Sequence, residues 1–79
     1  MPPKIPRRIR LNNEWYEVHE GMWSSLNLKK WMGPIEYTLK EPFAHISNLY
    51  YIYDLYDNKI GELDMNNNTY SACITEIEI

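Results

Sequence analysis

Apolar and polar residues alternate along several short stretches of this chain of 79 residues, with the period of a half-buried β-strand. The first such region, residues 8–18, has Asn12 and Asn13 at its centre, and asparagine tolerates the positive φ of a tight hairpin turn. A two-residue turn predicts these pairs: Leu11 with Glu14, Arg10 with Trp15, Ile9 with Tyr16, and Arg8 with Glu17. One face of the hairpin is then apolar, and the other has a cation-π pair of Arg10 with Trp15 and an ion pair.

The pattern changes after Gly21. Ser24 or Ser25 is placed to cap a helix, and Gly33 followed by Pro34 is a typical stop signal. Three large apolar residues fall at helical spacing between them: Leu28, Trp31 and Met32. We predict a short helix that packs on a sheet and leaves one of Trp23, Leu26 or Leu28 exposed, where it could support a homodimer.

The period of two returns over residues 35–40, 49–56, 59–65 and 69–79, and residues 43–48 read as a loop or a helical turn. In the last stretch the apolar positions change parity between Ile74 and Ile77, which a bulge or bend near Thr75 would reconcile. The predicted fold is α+β: an antiparallel sheet of five to six strands, in the order ββ-α-ββββ, with one short helix on a face. A small, bent, barrel-like sheet is the alternative.

The composition, 44% hydrophobic and 14% aromatic, is that of a folded chain. The length favours one domain over residues 1–79, with a Pro-rich extended arm at residues 1–6, and excludes large multi-domain catalysts and transporters. Neither a membrane-spanning run nor a signal peptide is recognisable, and the single Cys73 cannot form an internal disulfide. We therefore expect a cytoplasmic protein with no membrane association.

Charge is distributed unevenly around the net value of −3. The first ten residues contain four basic side chains and no acid, whereas residues 41–79 contain seven acids and one lysine. This asymmetry predicts two electrostatic surfaces, or an arm that lies across an acidic body.

The richest candidate surface lies on the strands around residues 49–65. A two-residue turn at Asp57 and Asn58 would pair Tyr53 with Glu62 and Tyr51 with Asp64. Tyr50, Ile52, Leu63 and Met65 would then form a core face, while the other face is aromatic and acidic. Tyrosine is amphipathic and rigid, so we predict a partner-binding face of Tyr51, Tyr53, Glu62 and Asp64. The alternative is that the helix covers these tyrosines, or that they stack on a solvated face.

Nucleic-acid binding is the rival interpretation of the basic segment. Arginine and lysine neutralise phosphates, and an indole offers a stacking platform. The residues concerned are Lys4, Arg7, Arg8, Arg10 and Trp15. The pI of about 5.2 and the lack of any helix-turn-helix, zinc-finger or RNP-type pattern make direct nucleic-acid binding the weaker hypothesis, below that of a solvated arm.

Catalytic motifs are missing from the sequence. His19, His45 and Cys73 have neither metal-ligand nor nucleophile–base spacing, and no glycine-rich phosphate loop or HExxH occurs. We predict a protein that is not an enzyme and that has no metal or cofactor.

Together these features predict a small binding protein that docks on a protein partner, for which a nucleic-acid-handling host protein with a basic surface is one candidate. In length and composition the chain resembles the small acidic proteins of phages and mobile elements that block host machinery, including anti-CRISPR-type inhibitors. That resemblance implies an inhibitor. An obligate subunit of a larger complex is the further alternative.

Overall fold

The computed structural model of the chain describes residues 5–21, 25–42 and 48–79. These residues form eight strands: β1 (Arg8–Leu11), β2 (Glu14–Glu20), β3 (Leu26–Lys29), β4 (Ile35–Lys40), β5 (Leu49–Tyr53), β6 (Lys59–Asp64), β7 (Thr69–Tyr70) and β8 (Ile74–Glu78). They belong to one antiparallel sheet with the order β7-β6-β5-β4-β3-β2-β1-β8. Successive strands are neighbours from β1 to β7, and β8 returns to the far edge of β1. The sheet therefore curls into a nearly closed barrel.

The predicted α+β class is wrong, because the described residues are all β and include no helix; the barrel-like alternative fits. The segment read as a helix forms β3 and an exposed turn. Leu26 and Leu28 are buried and alternate with Asn27 and Lys29, and β3 pairs with β2 on one side and β4 on the other. Only three apolar residues at helical spacing favoured a helix, and backbone hydrogen bonds to two neighbouring strands stabilise the extended conformation more.

Leu26 and Leu28 are therefore core residues, so neither is the exposed side chain we expected from the helix. Trp23 lies outside the described residues, as does most of the predicted loop at residues 43–48. Residues 1–4 of the predicted arm, which include Lys4, also lie outside the described residues. At the described end of that arm, Pro6 is buried and Ile5 packs against the core.

The number of strands, eight, exceeds the predicted five to six in part because the last stretch forms two strands, β7 and β8. A turn at residues 71–73 separates them, and the Ile74 N–H donates to the Ser71 carbonyl at 3.0 Å. The predicted irregularity at Thr75 is confirmed: Arg10 faces Glu76 and Leu11 faces Ile74, so Thr75 is the extra residue of a bulge.

The first hairpin is confirmed in register. All four predicted pairs between β1 and β2 occur, and the turn residues Asn12 and Asn13 have φ of 51° and 66°. The expected partners on its outer face are wrong. Arg8, rather than Arg10, lies over the Trp15 ring at 5.0 Å, and Arg8 pairs with Glu78 of β8 instead of Glu17.

The second predicted hairpin has the right faces but the wrong pairs. The loop between β5 and β6 spans residues 54–58, so Tyr51 faces Glu62 and Leu49 faces Asp64. This register differs by two residues from the predicted one. Because side chains alternate with period two, a shift of two leaves the eight residues assigned to the two faces on their predicted sides.

Eleven apolar side chains of the described residues are buried in the barrel: Ile9, Leu11, Tyr16, Leu26, Leu28, Leu39, Tyr50, Ile52, Leu63, Met65 and Ile74. The four residues predicted as the core face of β5 and β6 are among them. Cys73 is half-buried against this core, as expected of a small apolar residue.

Because consecutive strands run in opposite directions, the loops between them lie alternately at the two ends of the barrel. The loops β1–β2, β3–β4, β5–β6 and β7–β8 all lie at one end, which we call the hairpin end. The loop β6–β7 and Ile79 lie at the opposite end, close to Ile5.

Candidate functional site

The predicted partner-binding residues do lie together on the outside of β5 and β6. Tyr51 and Tyr53 are half-buried, Glu62 is exposed and Asp64 is half-buried. No helix among the described residues covers them. Alternation on two paired strands is sufficient to bring these four side chains to one face.

Two lysines lie over the tyrosine rings of this face. The Lys59 Nζ is 3.6 Å from the Tyr51 ring centroid, and the Lys40 Nζ is 5.2 Å from that of Tyr53. Lys59 lies on this face because a register shift between Ile52 and Tyr53 pairs it with Tyr53. Cation-π contacts of this kind hold the rings against the sheet, so the tyrosines are less available than we predicted.

The carboxylates of the face are already engaged. Glu62 pairs with Lys59 at 3.5 Å. Asp64 accepts the N–H groups of Asn66, at 2.8 Å, and Asn67, at 3.3 Å, and thereby holds the turn that follows β6. The acidity that we predicted for this face is therefore partly neutralised, and one of its acids has a structural role.

The basic residues assigned to the alternative nucleic-acid site differ in their surroundings, since two of them form ion pairs and another is exposed. Arg8 pairs with Glu78, and the Arg10 Nη1 lies 3.4 Å from the Glu76 Oε1 on β8. The Arg8 guanidinium lies over the exposed Trp15 ring, and Arg7 is exposed. Of the two charge arrangements that we predicted, these contacts match the one in which the basic segment lies against acidic residues of the body.

A second group of exposed side chains, which is apolar and which we did not predict, lies at the hairpin end. It consists of Trp31, Met32, Ile35, Leu55 and Tyr56, and we call it the apolar loop patch. Trp31 is 77% exposed, Met32 84%, Leu55 67% and Tyr56 86%. The β3–β4 turn leads into β4 and the β5–β6 loop follows β5. Because β4 and β5 are neighbours, the two apolar segments extend from adjacent strands at the same end of the barrel.

The β5–β6 loop is held in one shape by Asp54. Its Oδ1 accepts the N–H groups of Tyr56, at 2.8 Å, and Asn58, at 2.9 Å, and the Asp54 N–H donates to the Asn58 carbonyl at 3.0 Å. The N–H groups that the carboxylate accepts, first that of Asn58 and then that of Tyr56, lower the pKa of the Asp54 carboxyl. An aspartate followed by a polar turn is a recognisable sequence signal, and it indicates a longer loop than the two residues we assigned.

The β3–β4 turn presents Trp31 and Met32 at its two central positions. The Gly33 N–H donates to the Lys30 carbonyl at 2.8 Å, and Met32 has φ of 58°. A positive φ at the third position is the geometry of a type II turn, where glycine is the usual residue. A methionine there is strained by about 1–2 kcal/mol relative to an ordinary backbone conformation.

Charged and aromatic groups brace the base of this turn. The Lys30 Nζ lies 2.6 Å from the Glu14 Oε1, and this pair lowers the pKa of Glu14 and raises that of Lys30. Tyr16 donates its hydroxyl to Glu36 at 3.3 Å and meets Tyr37 edge to face at 5.4 Å. Burial raises the pKa of Tyr16, with Glu36 adding to the effect, so the hydroxyl keeps its proton as a donor.

In residues 5–21, 25–42 and 48–79, no three side chains of His, Cys, Asp or Glu come together as a metal site requires. Within the same ranges, no helix is long and apolar enough to cross a bilayer. Comparisons with protein-family models, with curated proteins and with solved structures give no significant match to this chain.

Proposed function

We propose that this chain is a small non-enzymatic binding protein that docks on a protein partner, with the apolar loop patch at the centre of the contact and the tyrosine face beside it. The observation that carries the proposal is the exposure of Trp31, Met32, Leu55 and Tyr56 on two neighbouring loops. Large apolar side chains grouped in this way on a small protein mark interaction surfaces.

The residue types favour a protein partner. Tryptophan and tyrosine supply most of the binding energy in protein interfaces, and methionine is enriched in them. The surrounding charges are paired with one another, as in Lys40 with Asp57 at 3.6 Å, and so resemble the polar rim of such an interface. A phosphate backbone would instead need unpaired cations, and Arg8, Arg10 and Lys30 each pair with a glutamate.

The loops are also organised before binding. Asp54 ties down the segment that carries Leu55 and Tyr56, so little conformational entropy is lost when a partner covers them. Tyr53 ends β5 immediately before this loop, and Lys40 contacts both the Tyr53 ring and Asp57 of the loop. The tyrosine face therefore continues the patch.

The strained turn agrees with this assignment. Glycine at residue 32 would relieve the backbone at no cost in burial, since the Met32 side chain is almost fully exposed in the free chain. Strain of this kind is commonly found at binding sites. Inhibition of the partner, as in phage-encoded proteins, stays a prediction.

The test is affinity purification from lysate of the source cell, followed by titration of the purified partner. We expect the double variant Trp31→Ala, Tyr56→Ala to lose at least about a hundredfold in affinity, because it removes two aromatic anchors. Its circular dichroism should match that of the original chain, since both side chains are exposed. The matched control is Trp15→Ala, which removes a tryptophan from another face.

Two results would contradict the proposal: full affinity of the double loop variant, or equal loss with Trp15→Ala. The variant Tyr51→Ala, Tyr53→Ala examines the original prediction separately. If it alone abolishes binding, the tyrosine face and not the loop patch is the docking centre. Self-association that is abolished by Trp31→Ala would instead assign the patch to a homodimer.

A further inference from the structure

The barrel has a seam between its last two strands. β7 and β8 stand at the two ends of the sheet order, so in the described part of the chain they are not hydrogen-bonded to each other. They are joined at the hairpin end by the turn at residues 71–73 and border a groove of about 290 Å³. This groove is lined by Asn68, Tyr70, Ile77 and Ile79, and it adjoins a second one lined in part by Ile5 and Met65.

The edge of β8 along this groove offers an incomplete ladder. Among the residues that the structure describes, β8 pairs with β1 alone, from Ile74 to Glu78. In an antiparallel pair, alternate residues direct their N–H and C=O groups away from the partner strand. The unpaired side of an edge strand is a template for a further strand. An extended peptide is the kind of ligand that such an edge can pair with.

The intramolecular neighbour of β8 shows which side chains such a peptide needs. β1 reads Arg8-Ile9-Arg10-Leu11, and its arginines meet Glu78 and Glu76 while its apolar residues face inward. Glu76 is still well exposed, and its one resolved contact, with Arg10, is 3.4 Å long, so its carboxylate can accept a second cation. In the groove, Ile77, Ile79 and Tyr70 offer apolar contacts to the side chains of a bound peptide.

We propose that this seam is a strand-addition site that binds an extended peptide of alternating basic and apolar residues, antiparallel to β8. The peptide repeats on the free edge of β8 the pairing that β1 makes on the other edge. Backbone hydrogen bonds supply affinity, and the alternation supplies specificity. The site is separate from the apolar loop patch, whose exposed side chains lie on the β3–β4 and β5–β6 loops.

Charge selects a basic peptide over a second copy of this chain. Antiparallel self-pairing of two β8 strands centred on residue 76 would place Glu76 against Glu76. Like charges directly opposite each other on neighbouring strands are destabilising.

The probe is a fluorescein-labelled synthetic peptide with the sequence of residues 7–12, RRIRLN, measured by fluorescence anisotropy against the full chain. The control peptide RRRILN has the same composition and charge but no alternation. We expect the control to bind at least about tenfold more weakly, because its two apolar residues cannot share a face. Glu76→Lys should weaken the probe by about tenfold or more, through charge reversal at an exposed position.

Amide chemical shifts locate the contact and separate this proposal from the previous one. The probe should perturb residues 68–79, and Trp31→Ala, Tyr56→Ala should bind it with unchanged affinity. Tyr70→Ser, at a half-exposed position, should weaken binding without altering the circular dichroism.

Any of these results would overturn the proposal: no anisotropy change at about 1 mM protein, equal binding of the two peptides, unchanged affinity in Glu76→Lys, or shifts confined to the loop patch. A dimer in solution that Tyr70→Ser dissociates would assign the seam to a second copy and would also overturn it.

Discussion

Positive φ in this protein is almost entirely a property of asparagine and aspartate. The described non-glycine residues in the left-handed region are Asn12, Asn13, Met32, Asn48, Asp57 and Asn68. Short polar side chains tolerate that region because they hydrogen-bond to the local backbone. Met32 is the exception, and it is also one of the most exposed apolar residues. Strain and exposure therefore coincide at one position.

At the residue scale, we expect Met32→Gly to stabilise the fold. Glycine relieves the strain of about 1–2 kcal/mol but loses about 0.5–1 kcal/mol through the greater freedom of its unfolded chain, which leaves a gain of up to about 1.5 kcal/mol. Urea unfolding followed by circular dichroism measures the change. The same variant should bind the partner more weakly, since the patch loses a side chain. A variant that is less stable than the original would show that the turn is not strained.

Whether a short segment forms a strand depends on the strands that it pairs with, and β3 is an example. Its four residues are too few to establish a period, and helical spacing to Trp31 and Met32 is fortuitous. Pairing with β2 and β4 buries Leu26 and Leu28 and leaves Trp31 at the tip of a turn. The same side chain is thus a core residue in the predicted helix and a surface residue in the barrel.

At the element scale, this difference predicts opposite costs for two truncations. Leu28→Ala should lower the free energy of unfolding by about 2–5 kcal/mol, because it opens a cavity at a fully buried site. Trp31→Ala should change it by about 0.5 kcal/mol or less, because the indole is mostly in water. Chemical unfolding of both variants decides the matter. Comparable losses would favour the packed helix over β3.

The segment between β7 and β8 packs closely against a glycine in β6. A Cβ at Gly61 would lie 2.9 Å from the Cys73 Sγ and 3.3 Å from the Ser71 side chain. We expect Gly61→Ala to destabilise the protein by about 1–3 kcal/mol through overpacking. The control Gly33→Ala meets only ordinary contact at 3.4 Å and should be near neutral. Adding Cys73→Ala to Gly61→Ala should recover part of the loss, and a strictly additive double variant would refute the clash.

At the scale of the whole molecule, the charges of distant segments meet across the sheet. Arg8 and Arg10, near the start of the sequence, pair with Glu78 and Glu76 near its end, so the two oppositely charged regions are side by side in β1 and β8. The linear asymmetry of charge therefore does not become two separate electrostatic surfaces. It becomes an ion-paired outer face.

Stability should fall in acid. Arg8 lowers the pKa of Glu78, chiefly by its hydrogen bond, and Lys30 does the same for Glu14. A carboxyl whose pKa is lower in the folded state stabilises the fold above its unfolded pKa, of about 4, and this contribution is lost as pH falls through the folded value. Urea midpoints from pH 7 to pH 3 should decline, and less so in Glu78→Gln. Identical profiles would show that Glu78 is not linked to folding.

What the sequence determined by itself was local. Alternation placed Tyr50, Ile52, Leu63 and Met65 inward, two asparagines set the first hairpin, and a change of parity located the bulge at Thr75. It also placed Tyr51, Tyr53, Glu62 and Asp64 on one face. These results follow from the period-two geometry of a strand, which holds whichever strand is its neighbour.

Only the tertiary structure decided which strands pair. It made β3 a strand, brought β8 beside β1, set the loop at residues 54–58 and laid Lys59 over Tyr51. It also left Trp31 and Tyr56 in solvent on adjacent loops, although their composition alone predicts burial. Pairing between strands depends on hydrogen-bond partners and closure over long separations, and no local pattern of residues records those distances.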